Sequence, residues 1–249
     1  MIKKAHCGLV TYRLTGGYFV SPNWSKTSHT RKGSIHGAPV HIYTKEQIAE
    51  MSVQEINTII NQDLYEDAYE RQLTEPQKYT GKNLAEGMEH LLFICPSCGQ
   101  LDTIKSTGNT VSCCACDMQF TYNKYAMLEG IPYKTVRDLA KWQRNQVTQA
   151  AKNQISYTVP YGTLSRISNH EETLLSEGKV ELNSYSLICG DKEIPLNDIL
   201  DMAIHGKHGL VFTAQKMYYE LLPDKKYNAL KLLWLYEAYK QIKHDQEEM

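Results

Sequence analysis

Cys95-Pro96-Ser97-Cys98-Gly99 and, after a 14-residue interval, Cys113-Cys114-Ala115-Cys116 form two Cys-x-x-Cys pairs. Each pair can fold into a tight knuckle that turns two thiolates toward one point. Two knuckles complete the tetrahedral four-sulfur shell that Zn²⁺ favours. Gly99 supplies the permissive backbone a knuckle needs just after its second thiol. Between the pairs, Leu101–Lys105 and Thr110–Ser112 read as strands around a turn at Ser106–Asn109, and Met118–Tyr122 reads as a third strand. The stretch predicts a zinc ribbon ligated by Cys95, Cys98, Cys113 and Cys116. Cys114 offers an alternative ligand through Cys114-Ala115-Cys116, but the two-residue spacing favours Cys113. Buried thiols without metal and a redox dithiol are the competing readings, and two matched pairs at ribbon spacing argue against both. With four protein thiolates the zinc has no open position, so its expected role is structural.

The other cysteines agree. The chain has seven, an odd count for a disulfide framework, and five fall within the 22 residues from Cys95 to Cys116. Clustered thiols of this kind fit a reducing compartment. Lys plus Arg number 27 against 28 Asp plus Glu, a formal charge of -1. That balance argues against a strongly basic nucleic-acid binder and leaves room only for a local basic patch. Hydrophobic residues at 42% and charged residues at 22% exclude a disordered tail. No apolar run approaches the roughly 18–20 residues needed to cross a bilayer. A soluble, cytoplasmic chain is expected, with peripheral contact at the inner face of a membrane as its membrane option.

Working toward the N-terminus, Gly8–Leu14 reads as a strand stopped by Thr15-Gly16-Gly17, and Ala38–Tyr43 as a second. The loop between them, residues 18–33, carries Arg31 and Lys32. These are candidate phosphate contacts, with a solvated basic turn as the plainer alternative. Thr44-Lys-Glu-Gln47 and Ser52-Val-Gln-Glu55 have the form of capping boxes. Ile48, Met51, Val53, Ile56, Ile60 and Leu64 recur at helical spacing behind them. Two strands and one helix are too little for a whole α/β domain, and they leave a sheet edge without a partner. Leu84, Met88 and Leu91 suggest a further short helix.

Toward the C-terminus, Thr135 opens a helix with Val136, Leu139, Trp142 and Val147 inward, and the polar residues 146–154 read as a linker or a helix end. Eight short strand candidates then occupy residues 156–222. Tight turns are expected at Gly190-Asp191 and Gln215-Lys216, and a longer one at His205–Gly209. A terminal helix over residues 227–243 carries one stripe of Leu232, Leu235, Tyr239 and Ile242, broadened by Leu230, Leu233 and Trp234. Many short antiparallel strands closed by one amphipathic helix look like a pleckstrin-homology-type barrel. The fold class expected is α+β and multi-module. It comprises an α/β portion over residues 1–90, the ribbon over 91–124, a helical connector over 125–155 and the barrel over 156–249.

Several strings occur in a telling order: Gly16-Gly17-Tyr18-Phe19, Pro22-Asn-Trp24-Ser25, Arg31-Lys32-Gly33, Met51-Ser-Val-Gln-Glu-Ile56 and Asn61-Gln-Asp-Leu-Tyr65. With Tyr79-Thr-Gly-Lys82, Leu84-Ala-Glu-Gly87 and the first cysteine pair, they resemble the distal part of bacterial 1-acyl-sn-glycerol-3-phosphate acyltransferase-like proteins. The resemblance covers roughly the first 145 residues. It implies an α/β acyltransferase remnant, with an acyl donor and a lysophospholipid acceptor as partners of the whole enzyme. That family's chemistry depends on a His-x₄-Asp motif, the His as general base and the Asp orienting it. None of the nine histidines here has Asp five residues later, and a Phe-Pro-Glu-Gly element is absent too. The resemblance therefore implies an accessory, C-terminal portion that does not transfer acyl groups by itself. A non-catalytic lipid or membrane-surface adaptor is the first alternative. A zinc-ribbon module for nucleic acid or protein is the second, weakened because Lys105 is the only Lys or Arg from Cys95 to Cys116.

Overall fold

The computed structural model describes residues 2–26, 30–169 and 171–247. Thr27–His29, in the expected basic loop, and His170 lie outside them. The chain is mixed α+β, with three separate antiparallel sheets.

The N-terminal elements are α1 (Ile2–Ala5), β1 (Leu9–Thr15), α2 (Gly17–Val20), β2 (His36–Tyr43), α3 (Lys45–Glu50), α4 (Val53–Leu64) and α5 (Ala68–Thr74). Both capping boxes form. The Gln47 side chain accepts the Thr44 N–H at 2.8 Å, and the Glu55 carboxylate accepts that of Ser52 at 2.7 Å. β1 and β2 make a two-stranded ribbon pairing Leu9 with Tyr43 and Thr15 with His36. This ribbon turns its polar face onto α4. The buried Asp63 carboxylate accepts the Thr11 hydroxyl at 2.7 Å and that of Tyr43 at 2.9 Å, and the Asp63 carbonyl accepts Arg13 Nε at 2.7 Å. Val10, Tyr12, Leu14 and Ile42, on the opposite face, are exposed by 57, 53, 65 and 72%.

No helix proper forms over residues 84–91. Only a single 3₁₀ turn, Met88–His90, is present, because Asn83 and Gly87 adopt left-handed backbone angles that a helix cannot continue through. The second sheet then follows as β3 (Ile104–Thr107), β4 (Thr110–Cys113), β5 (Gln119–Tyr122) and β6 (Leu128–Glu129), in that order. Its inward residues Ile104, Val111, Phe120 and Tyr122 share one core with Phe19, Trp24, Tyr69, Tyr79 and Met88. The aromatic residues of the first loop are thus packing groups.

α6 runs Val136–Lys152, so residues 146–154 form a helix end and not a linker. Val147 and Ala151 hold its polar second half down by packing into the core of the C-terminal sheet. That third sheet contains β7 (Tyr157–Ser168), β8 (Glu171–Leu182), β9 (Ser186–Cys189), β10 (Lys192–Pro195), β11 (Ile199–His205), β12 (Gly209–Ala214) and β13 (Met217–Pro223). Its strand order is β10-β9-β8-β7-β13-β12-β11, a curled half-barrel. The bulges in β7 between Val159 and Gly162 and between Leu164 and Ser165 help it bend so that it pairs with both β8 and β13. The two expected strands on either side of Tyr161 are therefore one.

α7 (Leu230–Glu247) covers the open side, and the Tyr236 hydroxyl donates to the carbonyls of Ile199 and Leu200 at 3.1 Å. The expected stripe and the residues that broaden it pack inward: Leu232, Leu233, Trp234, Leu235 and Tyr239 are buried, and Leu230 and Ile242 are partly buried against the same core. From Leu232 to Tyr236 every side chain is buried, because α6 lies on its other side. No helix among the described residues is long and apolar enough to cross a membrane.

Candidate metal centre

The four sulfurs predicted from the sequence converge. Cys95, Cys98, Cys113 and Cys116 place their Sγ atoms within 4.8 Å of one another, and could hold a metal ion. Cys95–Cys116 and Cys98–Cys113 are separated by 3.7 and 3.8 Å. A regular tetrahedron with metal–sulfur bonds of about 2.3 Å has edges of about 3.8 Å, so the pocket has the dimensions of a four-thiolate site. Cys114 does not join it. Its side chain is exposed, and its N–H goes to the Thr103 carbonyl at 2.8 Å, which leaves Cys113 as the ligand of the second pair.

The knuckles form for local reasons. Gly99 takes φ +74° and donates to the Cys95 carbonyl, reversing the chain behind Cys98. Backbone N–H groups of Ser97 and Cys98 point at Cys95 Sγ at 3.4 and 3.5 Å, and that of Ala115 at Cys113 Sγ at 3.3 Å. Donors of this kind stabilise thiolate. Among the thiols, burial pushes Cys95 up to about 12. At Cys113 burial also raises the value, but the Thr103 hydroxyl, the Ala115 N–H and the neighbouring sulfurs outweigh it and bring the thiol down to about 6.

One positioning group is missed by the sequence reading. Gln143, fully buried on α6, accepts the N–H groups of Phe93 and Ile94 at 2.7 and 2.9 Å and donates to the Leu91 carbonyl at 3.0 Å. It fixes the strand-like segment that delivers Cys95. A polar residue on an expected apolar helix face was the signal available, but Gln within a polar run gives no hint of burial.

Arg31 lies inside the molecule, 3% exposed. Its guanidinium donates to the carbonyls of Phe19, at 3.2 Å, and Leu84, and stands 5.0 and 5.2 Å from the ring centres of Trp24 and Tyr122. Desolvation lowers its pKa. That placement differs from both sequence expectations, an exposed phosphate contact and a solvated turn. Arg31 clamps the first loop to the segment before the ribbon. Lys32 is exposed, and its backbone bridges to Thr80.

A His–Asp pair does form, though not at the family's spacing. His41 Nδ1 lies 2.8 Å from Asp63. The imidazole is 60% exposed on an open two-stranded ribbon. It acts with Thr11 and Tyr43 to anchor the ribbon. The chain matches no family model, no curated protein and no solved structure.

Proposed function

We propose that this chain is the accessory portion of a glycerophospholipid acyltransferase, which acts on a lysophosphatidate-like acceptor, and that it is not catalytic by itself. One observation carries the reading. The β1–β2 ribbon packs its polar side on its own helix and leaves Val10, Tyr12, Leu14 and Ile42 open, the reverse of a finished sheet. Both outer edges of the ribbon also lack a strand among the described residues. An apolar face between two open edges suits insertion into a larger sheet. In this reading that sheet belongs to the α/β part bearing His-x₄-Asp. The groove of about 490 Å³ beside Leu14, bordered by Tyr18, Tyr65, Tyr69 and Val136, extends the same apolar surface.

The metal in this reading is Zn²⁺, structural, held by Cys95, Cys98, Cys113 and Cys116. The edge length of the sulfur cage supports zinc, and four protein ligands leave no site for substrate. The C-terminal half-barrel is read as pleckstrin-homology-like, on the support of its meander order and the terminal helix across its open side. In this reading the half-barrel is a peripheral module at the cytoplasmic face of a membrane. Reading the gene in frame ahead of the Met1 codon tests the proposal. His-x₄-Asp followed by Phe-Pro-Glu-Gly is the expected find. A stop codon directly upstream of a start signal at Met1 would overturn the acyltransferase reading.

A further inference from the structure

The seam between the metal-bearing module and the half-barrel gathers cations from separate parts of the chain. A cavity of about 120 Å³ is lined by Lys105 on β3 and by Lys225 and Lys226 in the turn after β13. His90, Glu89, Asp102 and Asn228 complete the parts of its wall that matter here. Beside it, His208 from the β11–β12 turn meets His90 edge to face, with ring centres 4.8 Å apart. Burial first disfavours protonation of both rings; Lys207 adds to this at both, Lys26 at His90 and Lys225 at His208, while Glu89 opposes it at His90.

Of the two carboxylates in this wall, one is offset by a cation and the other keeps its charge beside His90. Asp102 is paired with the buried Lys231, and Glu89 accepts the Ser106 hydroxyl. Among the described residues, Lys105, Lys225 and Lys226 have no carboxylate within ion-pair distance. Just ahead of α7, whose Leu230 N–H is capped by the Asn228 side chain at 2.8 Å, Tyr227 and Asn228 close the cavity. Its volume equals that of about four waters, room for one tetrahedral oxyanion and not for a nucleotide or sugar.

We propose that this seam is a binding site for a phosphomonoester dianion, held by Lys105, Lys225 and Lys226 with His90 and His208 at its rim. A dianion with three acceptor oxygens matches several point-charge donors converging on one small concavity. The site does not depend on the acyltransferase reading, since none of its residues belongs to the β1–β2 ribbon. Free phosphate and a lipid phosphomonoester headgroup present the same chemistry, and the experiment separates them.

The full chain is titrated with inorganic phosphate by calorimetry, and in parallel floated with phosphatidylcholine vesicles with and without phosphatidic acid. Lys225→Gln/Lys226→Gln is compared with Lys216→Gln, which lies in the β12–β13 turn at the other end of the sheet. Saturable one-to-one phosphate binding, weakened at least about tenfold in the double variant and unchanged in Lys216→Gln, supports the site with a soluble ligand. Flotation only with phosphatidic acid, lost in the double variant alone, supports it with a headgroup. Binding of neither probe, or equal binding by all variants, overturns it.

Discussion

Gln143 shows how much one buried side chain can hold in place. It satisfies three main-chain groups of the segment that leads to Cys95. Gln143→Leu keeps the volume and strands all three, so a loss of about 3 kcal/mol in urea unfolding is expected. The change should also loosen metal binding, since Cys95 then loses its fixed approach. An unchanged midpoint would show that water replaces the side chain. For the thiols themselves, Cys98→Ser should release the metal and unfold the ribbon locally. Retention of one zinc per chain with native hydrogen exchange would make the ligand assignment wrong. The four ligands could be read from spacing because knuckle chemistry is local. Gln143, Asp63 and the buried Arg31 could not, because each is satisfied by groups 12 to 53 positions away in the chain.

Elements written in local chemistry were legible: both capping boxes, the tight turns and the inward faces of the ribbon strands. β8 was not. Its first half, Glu171–Glu177, pairs only with β7, lies beyond the end of β9 and is mostly exposed on both faces. No burial pattern therefore marks it, and only Lys179–Asn183 reads as strand. Turn geometry gives a graded prediction here. Gly99 and Gly190 both have positive φ, but a Cβ at Gly99 meets open space while one at Gly190 runs into the Glu177 carbonyl and the Ser176 hydroxyl. Gly99→Ala should cost about 1 kcal/mol. Gly190→Ala should cost clearly more and loosen the β8–β9–β10 edge. Equal thermal shifts for the two would contradict this account of the sheet.

At the scale of the molecule, two cores meet through α6, α7 and one buried ion pair. Lys231, 1% exposed, pairs with Asp102 of the ribbon module and donates to the Thr158 carbonyl of β7 at 3.0 Å. Lys231→Ala should destabilise by about 3 kcal/mol or more, because Asp102 then stays behind uncompensated. If the loss were under 1 kcal/mol, the two modules would not be coupled through this pair.

Acid should weaken the same seam. Burial first, and then neighbouring cations, holds His90 and His208 below the ordinary imidazole value. The unfolded chain therefore takes up protons first. Stability should fall as pH drops through about 6.5 toward the lower folded values. Asp63 and Asp67, whose pKa values are lowered chiefly by hydrogen bonds that outweigh burial, act only in the lower, carboxylate range. His90→Gln/His208→Gln should flatten the urea midpoint between pH 7 and 5. A slope equal to that of the unaltered chain would assign the effect elsewhere.

The open ribbon face is the feature on which the functional account rests. Ile42, 72% exposed, can be changed without disturbing this chain's own core. The decisive measurement is acyl transfer to lysophosphatidate by the polypeptide encoded in frame from upstream of Met1 through Met249, with and without Ile42→Asp. The account predicts turnover in the unaltered polypeptide, at least about a tenfold loss with Ile42→Asp, and none from residues 1–249 alone. Turnover by residues 1–249 alone, or an Ile42→Asp polypeptide as active as the unaltered one, would contradict it.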